Sequence, residues 1–213
     1  VAWRASRPPA DVQDIGVLGE YIAPFLYRLR ADRPKHFDAL KRTLRTLIPS
    51  VEDLAVDLDK RRGTLDILIR QAGRDFSSRI ISEGTLRVLA LCAIGVNPWS
   101  GSVLAFEEPE NGVHPRRLEL IVELLCSLAL EQSKQLIVTT HSPLLCDAVL
   151  KRARTCPNDI VLLGVRQGPA GTEILPFNPP DPLFQESEVA QALTTGTEDG
   201  LFEALIMRGL LDE

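Results

Sequence analysis

Two adjacent carboxylates follow a short apolar run in the middle of the chain. Residues Val103–Phe106 are apolar, and Glu107 and Glu108 come directly after them. Such a run predicts a buried parallel strand, and ligands of open α/β sheets bind at the carboxyl ends of these strands. One carboxylate there can hold Mg²⁺, usually through water, and the next can orient or deprotonate an attacking water. On its own, an acidic pair also fits a simple strand end that caps the following turn.

Two further segments place polar groups beside a helix start. His141 follows a second apolar run, Leu136–Val138, and an imidazole there can donate a hydrogen bond to a phosphate oxygen. Upstream, Ile81–Arg87 leads into a helix and contains Ser82 and Gly84. A hydroxyl, a glycine backbone and the free amides of a helix N-terminus together form an anion site. Taken singly, the histidine also fits a structural loop residue, and the serine fits a helix cap.

Taken together and in this order, the three segments resemble an ABC-class ATPase of the SMC/RecF-like branch, which includes stand-alone bacterial ATPases of the AAA family. In that family a Ser/Gly signature precedes a Walker B strand, a D-loop and a switch histidine. The resemblance covers residues 16–150, is strongest from 82 to 147, and implies an α/β, P-loop NTPase-like sheet with flanking helices. The matching segments are Ile81–Arg87 for the signature, Val103–Glu108 for Walker B, Pro109–Pro115 for the D-loop and His141 for the switch.

The resemblance implies catalytic and metal-binding roles for three of these residues. Glu108 would be the catalytic carboxylate that positions water against the γ-phosphate of ATP, and His141 would sense that phosphate. Glu107 would support Mg²⁺, although the family usually has Asp there, and the longer side chain changes the distance to the metal. Glu83 is a second departure, because many members carry Gly or Asp at that position of the signature.

The resemblance also implies residues that contact ATP across a dimer. Ser82 and Gly84 would close on the ATP of an opposing subunit in a head-to-tail homodimer. Asn111 and Gly112 would contribute the D-loop contact between the two subunits. His114 lies in the same segment, but we expect it to pack or cap locally rather than to act in catalysis.

No GxxxxGK[ST] phosphate loop occurs in the 213 residues, which begin with Val1. The nearest glycine-containing string, Gly95–Gly101, has no lysine and the wrong spacing. In the family this loop lies N-terminal to the signature, so we expect the chain to be the C-terminal portion of an incomplete domain. Its partner would be the N-terminal Walker A half of the same protein. Without the loop, most of the binding energy for the β- and γ-phosphates is lost, and the chain alone should bind ATP poorly and hydrolyse it negligibly.

Composition excludes several other classes of protein. The net charge of −5 and the 45% content of hydrophobic residues are typical of a soluble globular protein rather than a highly basic nucleic-acid binder. The longest apolar run, Val88–Val96, is about half the ~20 residues that a membrane-spanning helix needs. The four cysteines are widely spaced and form no CxxC pair, so neither zinc nor a disulfide framework is indicated. We therefore expect a cytoplasmic protein without a membrane segment.

The apolar patterns predict elements in three regions. Residues 1–80 should form a helical and β-hairpin segment, 81–177 the ATPase core, and 178–213 a linker with terminal helices. In the first region, the helices and strands are expected at Val17–Leu29 with a kink or a break at Pro24, Pro34–Ile48, Val51–Asp59, Thr64–Ile69 and Asp75–Ile81. Beyond it they are expected at Thr85–Ile94, Ser102–Phe106, Pro115–Leu130, Gln135–Val138, Ser142–Leu150, Ile160–Val165, Thr172–Phe177, Glu188–Ala192 and Gly200–Met207.

Three functions remain open from the sequence. The first is the C-terminal part of a dimeric, ATP-hydrolysing ABC-type ATPase in DNA repair or phage defence, with DNA or an effector protein as a further partner. The second is a catalytically inactive ATPase-like interaction module. The third is an unrelated metal-dependent hydrolase that uses Glu107, Glu108 and His141.

Overall fold

The computed structural model describes residues 4–169 and 171–176. These residues form two compact units, which divide between Val138 and Thr139. The mixed α/β architecture confirms the predicted fold class. In chain order the elements are α1 (Ile22–Asp32), α2 (Pro34–Leu47), β1 (Asp53–Asp59), β2 (Thr64–Gln71), β3 (Arg74–Ser77), α3 (Glu83–Gly95), β4 (Val103–Glu107), α4 (Leu118–Leu130), β5 (Gln135–Thr139), α5 (Pro143–Thr155), β6 (Leu163–Gly168) and β7 (Gly171–Pro176).

The first helix is shorter than its apolar pattern predicts. It begins at Ile22, so Pro24 lies in its first turn and causes no break. Backbone amides of a first turn have no partner within the helix, and a proline there loses no hydrogen bond. Val17 and Leu18 lie in the preceding loop and are 99% and 71% exposed. The prediction of a helix is therefore confirmed from Ile22 to Leu29, whereas its predicted start at Val17 and the kink or break at Pro24 are wrong.

Helix α2 and the strands that follow it agree better with the prediction. Pro34 is the first residue of α2, and the buried stripe consists of Phe37, Leu40, Leu44 and Leu47. Strands β1 and β2 form the expected antiparallel hairpin, and β3 completes a three-stranded sheet in the order β1-β2-β3. Strand β3 ends at Ser77, earlier than predicted, because residues 78–80 turn towards the next helix.

Helix α3 is buried along most of its length. Its buried side chains lie on most sides of the helix and include Leu86, Val88, Leu89 and Cys92. A helix that is apolar nearly all round is typical of a core element. The prediction of an apolar helix over Thr85–Ile94 is confirmed, with the helix extending a short way beyond both ends.

Strands β4 and β5 form where predicted but are not buried on both faces. They pair only with each other among the described residues, and helix α4 connects them. Leu104, Phe106 and Leu136 pack against the core, whereas Val103 and Ile137 are each 54% exposed. The expectation of two buried strands is therefore wrong, because only one face of this two-stranded sheet is covered. This alternation leaves the outer face open, with Val103 and Ile137 among its exposed side chains.

Helix α4 begins at Leu118, after a single turn of 3₁₀ helix at Pro115–Arg117, rather than at Pro115.

The second unit contains α5 and a hairpin. Ser142 caps α5 and Pro143 is its first residue, as predicted, and the helix continues to Thr155. Strands β6 and β7 pair antiparallel, which confirms the predicted hairpin with slightly different bounds. The linker and terminal helices predicted for 178–213 lie outside the described residues. Among the helices that are described, none is long and apolar enough to cross a membrane.

The burial of Cys92 generates a test of the core. Burial raises the pKa of its thiol to about 12, so the reactive thiolate is scarce at neutral pH. We expect iodoacetamide at pH 8 to leave Cys92 unmodified in the native chain while it modifies Cys156, which is only partly buried. Mass spectrometry of peptides measures both, and denaturant should make Cys92 reactive. Equal modification of the two cysteines in the native chain would contradict the packing of α3.

Candidate functional site

The predicted acidic pair lies at the end of β4. Glu107 is the last residue of the strand and is exposed. Glu108 follows it, is half-buried, and has a backbone φ of 44°. A non-glycine residue in this left-handed region costs about 1–2 kcal/mol, and such strain is concentrated at functional sites. The two residues therefore differ in backbone conformation: Glu107 ends the strand, and Glu108 begins a turn.

A pair of consecutive turns holds Glu108 in this conformation. The backbone amide of Asn111 donates to the carbonyl of Glu108 at 3.1 Å, and that of Val113 donates to the carbonyl of Glu110 at 2.9 Å. The Asn111 side-chain amide also donates to a carboxylate oxygen of Glu108. Gly112 has a φ of 74°, a conformation that glycine adopts without steric cost. Asn111 thus fixes both the backbone and the carboxylate of Glu108.

His114 has the local role that the sequence predicts. Its Nδ1 accepts a hydrogen bond from the backbone amide of Arg116 at 3.2 Å, at the start of the turn of 3₁₀ helix. This confirms the prediction that His114 caps locally.

The predicted signature residues form the N-terminus of α3. Ser82 is the N-cap: its Oγ accepts from the backbone amide of Thr85 at 3.2 Å, and the two hydroxyls are 2.9 Å apart. Glu83 pairs with Arg87 at 3.1 Å one turn later. The positive end of the helix dipole and the first-turn amides favour an anion here. Glu83 adds a negative charge to that end, and its ion pair with Arg87 partly offsets the charge.

A backbone contact joins the signature to the turn of Glu108. A Cβ atom placed on Gly84 would lie 3.0 Å from the carbonyl carbon of Gly112 and closer still to its oxygen. Only glycine at position 84 permits this approach without displacing the turn. The spacing of Gly84 and Gly112 along the chain does not indicate that they touch. The structure thus brings Ser82, Gly84, Asn111 and Glu108 into one region.

His141 belongs to the second unit. It is exposed and lies between β5 and α5, where the backbone amide of Ser142 donates to Thr140 Oγ1 at 2.9 Å. The Ser142 Oγ in turn accepts from the amide of Leu145 at 3.3 Å. The local geometry therefore presents the imidazole to solvent at a helix start.

The donor set available to a metal is small. Within residues 4–169 and 171–176, no group of three or more His, Cys, Asp or Glu side chains is arranged to hold a metal ion. An exposed carboxylate such as Glu107 fits a Mg²⁺ ion that takes most of its ligands from phosphates and water, which is how this ion is usually held in nucleotide sites.

The fold is P-loop NTPase-like, and the chain is an ATPase domain of the AAA/ABC type. Residues 7–147 match the AAA_21 family, described as "AAA domain, putative AbiEii toxin, Type IV TA system". This match covers more than half of the chain, which therefore belongs to the AAA_21 family. It also supports the resemblance recognised in the sequence. No curated protein sequence matches the chain.

Solved SMC heads are similar to this chain at low sequence identity. A chain from "Structural biochemistry of ATP-driven dimerization and DNA stimulated activation of SMC ATPases" aligns with a TM-score of 0.51 and 14% identity, covering 82% of this chain and 96% of that one. The SMC head bound to the C-winged helix domain of ScpA aligns with a TM-score of 0.50 and 16% identity, covering 74% and 48%. The SMC head domain from Thermotoga maritima has a TM-score of 0.46 and 17% identity, covering 78% and 57%. This chain thus spans about half the length of the last two.

The left-handed backbone at Glu108 predicts an unusual effect of glycine. Replacing Glu108 by Gly should leave the chain more stable than replacing it by Ala, by up to about 1 kcal/mol, because only Ala retains the backbone strain. Urea unfolding of both variants measures the difference. Glu123, exposed within α4, provides the control, since Gly there should be less stable than Ala by about 1 kcal/mol. The same order of stability at both positions would contradict the strain at Glu108.

Proposed function

We propose that this chain contributes part of an ATP-hydrolysing site that is completed by a phosphate-binding loop and by an opposing subunit. The observation that carries the proposal is the contact between the turn of Glu108 and the N-terminus of α3. It joins the turn that holds a constrained carboxylate to a helix end that favours anions, so one chain carries both parts, each for a different nucleotide of the proposed dimer. Phosphoryl transfer needs both, because its catalysis consists mainly of positioning and of stabilising charge.

Glu108 is the residue that we propose orients the attacking water. Its carboxylate accepts a hydrogen bond from the Asn111 side chain, so it has a defined direction before nucleotide binds. Glu107 would hold Mg²⁺, which neutralises charge on the phosphates when it is bound. Its exposure leaves it accessible to an ion that arrives with the nucleotide.

His141 is proposed to donate a hydrogen bond to the γ-phosphate. Its exposed position at the start of α5 supports this role, since neither the Thr140 nor the Ser142 hydrogen bond described above uses the imidazole. An imidazole can donate to a phosphate oxygen in either its neutral or its charged form.

We propose that two copies assemble head to tail as a homodimer, with Ser82 and Gly84 of one subunit facing the ATP of the other and Asn111 near the same interface. The exposure of Ser82 supports this arrangement. One of the similar structures comes from work on ATP-driven dimerization of SMC ATPases.

A second segment of the same protein is proposed to supply the phosphate loop and to cover the sheet. The 213 residues contain no GxxxxGK[ST] motif. The outer face of the β4–β5 sheet exposes Val103 and Ile137, and apolar faces of this kind are normally covered. A further strand or helix from an N-terminal Walker A half would bury them.

The biological role that fits best is a DNA-linked or defence-related process. The family description names a toxin of a toxin–antitoxin system, and a similar SMC ATPase is activated by DNA. DNA or an effector protein is therefore proposed as a further partner. A purely structural module has no need for Glu108, Ser82 and His141 together, and a self-sufficient metal hydrolase would need more ligands than the described residues group together.

Replacing Glu108 by Gln tests the catalytic role. In a preparation that contains both halves, ATP binding and nucleotide-dependent dimerisation should persist, and turnover should fall by at least about 100-fold, because the amide cannot accept a proton. Steady-state ATPase assays and size-exclusion chromatography measure these effects. The Glu123→Gln variant, altered on the exposed face of α4, is the control and should keep full turnover. Unchanged turnover in Glu108→Gln would remove Glu108 from this role.

Calorimetry tests the composite site. The 213-residue chain should bind Mg-ATP negligibly by itself, and binding should appear when a segment of the parent protein that carries a GxxxxGK[ST] loop is added. The same segment with its loop lysine replaced by alanine is the matched control. Tight binding of Mg-ATP by the chain alone would mean that a different nucleotide site exists within these residues.

A further inference from the structure

We propose that Gly84 is a positioning residue for Glu108 of its own subunit, acting through its backbone contact with Gly112. This inference rests on the proposed function, in which Glu108 orients the attacking water. It gives Gly84 a second role, separate from any contact with the nucleotide of an opposing subunit. The role depends on the absence of a side chain at position 84.

The contact between the two glycines leaves less space for a side chain at Gly84 than at Gly112. A Cβ atom on Gly84 would overlap the carbonyl group of Gly112, lying 3.0 Å from its carbon and nearer to its oxygen. A Cβ atom on Gly112 would instead lie 3.6 Å from the Cα of Gly84, which is ordinary van der Waals contact. The Gly112 carbonyl therefore points at the Gly84 backbone, and only position 84 has no space for a side chain.

A short chain of bonds connects Gly112 to the carboxylate of Glu108. Gly112 immediately follows Asn111, whose backbone amide donates to the carbonyl of Glu108. The Asn111 side chain donates to the Glu108 carboxylate. The Gly112 carbonyl belongs to the peptide between Gly112 and Val113, whose amide donates to the carbonyl of Glu110. A shift of this peptide would therefore disturb the turn and move the Asn111 side-chain amide away from Glu108.

Helix α3 is held in place more firmly than this turn. Leu86, Leu89 and Cys92 are completely buried, and the Ser82 cap fixes the first turn of the helix. The turn at 108–112 is itself partly exposed and contains two residues in the left-handed region. When the two segments cannot both keep their positions, the turn should therefore move rather than the helix.

One consequence concerns the coupling of the two sites in the proposed dimer. An anion bound at the N-terminus of α3 would act on the same backbone that supports Glu108. Engagement of the signature with one nucleotide would thus bear on the carboxylate that serves the other.

Nuclear magnetic resonance of the nucleotide-free 213-residue chain tests the proposal. The side-chain amide signal of Asn111 reports its bond to Glu108, and the Glu108→Ala variant defines the position of that signal when the bond is absent. We expect Gly84→Ala to move the signal more than halfway towards that position. Alanine is a better helix former than glycine, so α3 itself should not suffer.

Two matched variants separate the contact from a general effect of adding a side chain. Gly101→Ala adds a methyl group where nothing lies within 4 Å, and the Asn111 signal should stay in place. Gly112→Asn keeps the left-handed backbone, which asparagine tolerates, and adds a Cβ at ordinary contact distance. It should move the Asn111 signal less than Gly84→Ala does.

The outcomes distinguish this inference from the proposed function. Protection of Cys92 from iodoacetamide in Gly84→Ala shows that α3 still packs, so a displaced Asn111 signal then supports the positioning role. An Asn111 signal that stays at its wild-type position in Gly84→Ala overturns it, and so does loss of Cys92 protection, which would show that the helix yields rather than the turn. Because no nucleotide is present, neither result depends on whether Glu108 is catalytic, which the Glu108→Gln assay decides separately.

Discussion

The burial of helix α3 is the constraint on which the first unit depends. Leu86, Leu89 and Cys92 are excluded from solvent, and each contributes roughly 1–3 kcal/mol of hydrophobic free energy. Because moving the helix would cost this buried surface, its N-terminus holds the signature residues in a fixed position. The turn after β4 then meets this N-terminus at a point where both segments have glycine. Core packing thereby sets the position of groups that lie at the surface.

The turn of Glu108 shows how the chain supports an unfavourable backbone conformation. A left-handed glutamate is opposed by steric repulsion, and here hydrogen bonds to the backbone and side chain of Asn111 oppose that cost. A residue held in this way has little freedom to rotate. A carboxylate that must direct a water molecule benefits from such a restriction, since less entropy is lost when the reacting groups are brought together.

The β4–β5 sheet has the opposite character. It packs on the core through Leu104, Phe106 and Leu136, yet its outer face is open and exposes Val103 and Ile137. A two-stranded sheet is marginally stable by itself, and the faces of stable sheets are usually buried by another layer of helices or strands. The strand sequences look fully buried because they are suited to a sheet covered on both sides. That mismatch between the apolar pattern and the observed exposure is the physical argument for a covering segment.

Local patterns in the sequence determined the main elements and the segments that carry chemistry. The stripe of α2, the β1–β2 hairpin, the Ser142 cap and the local role of His114 follow from short-range rules, and each is confirmed. The family, too, was recognisable from motifs. Tertiary structure decided the start of α1, where periodicity continues into an exposed loop, and the one-sided burial of β4 and β5. It also decided the contact of Gly84 with Gly112 and the left-handed backbone of Glu108. These features depend on which segments pack against each other in space, and the spacing of residues along the chain does not indicate those contacts.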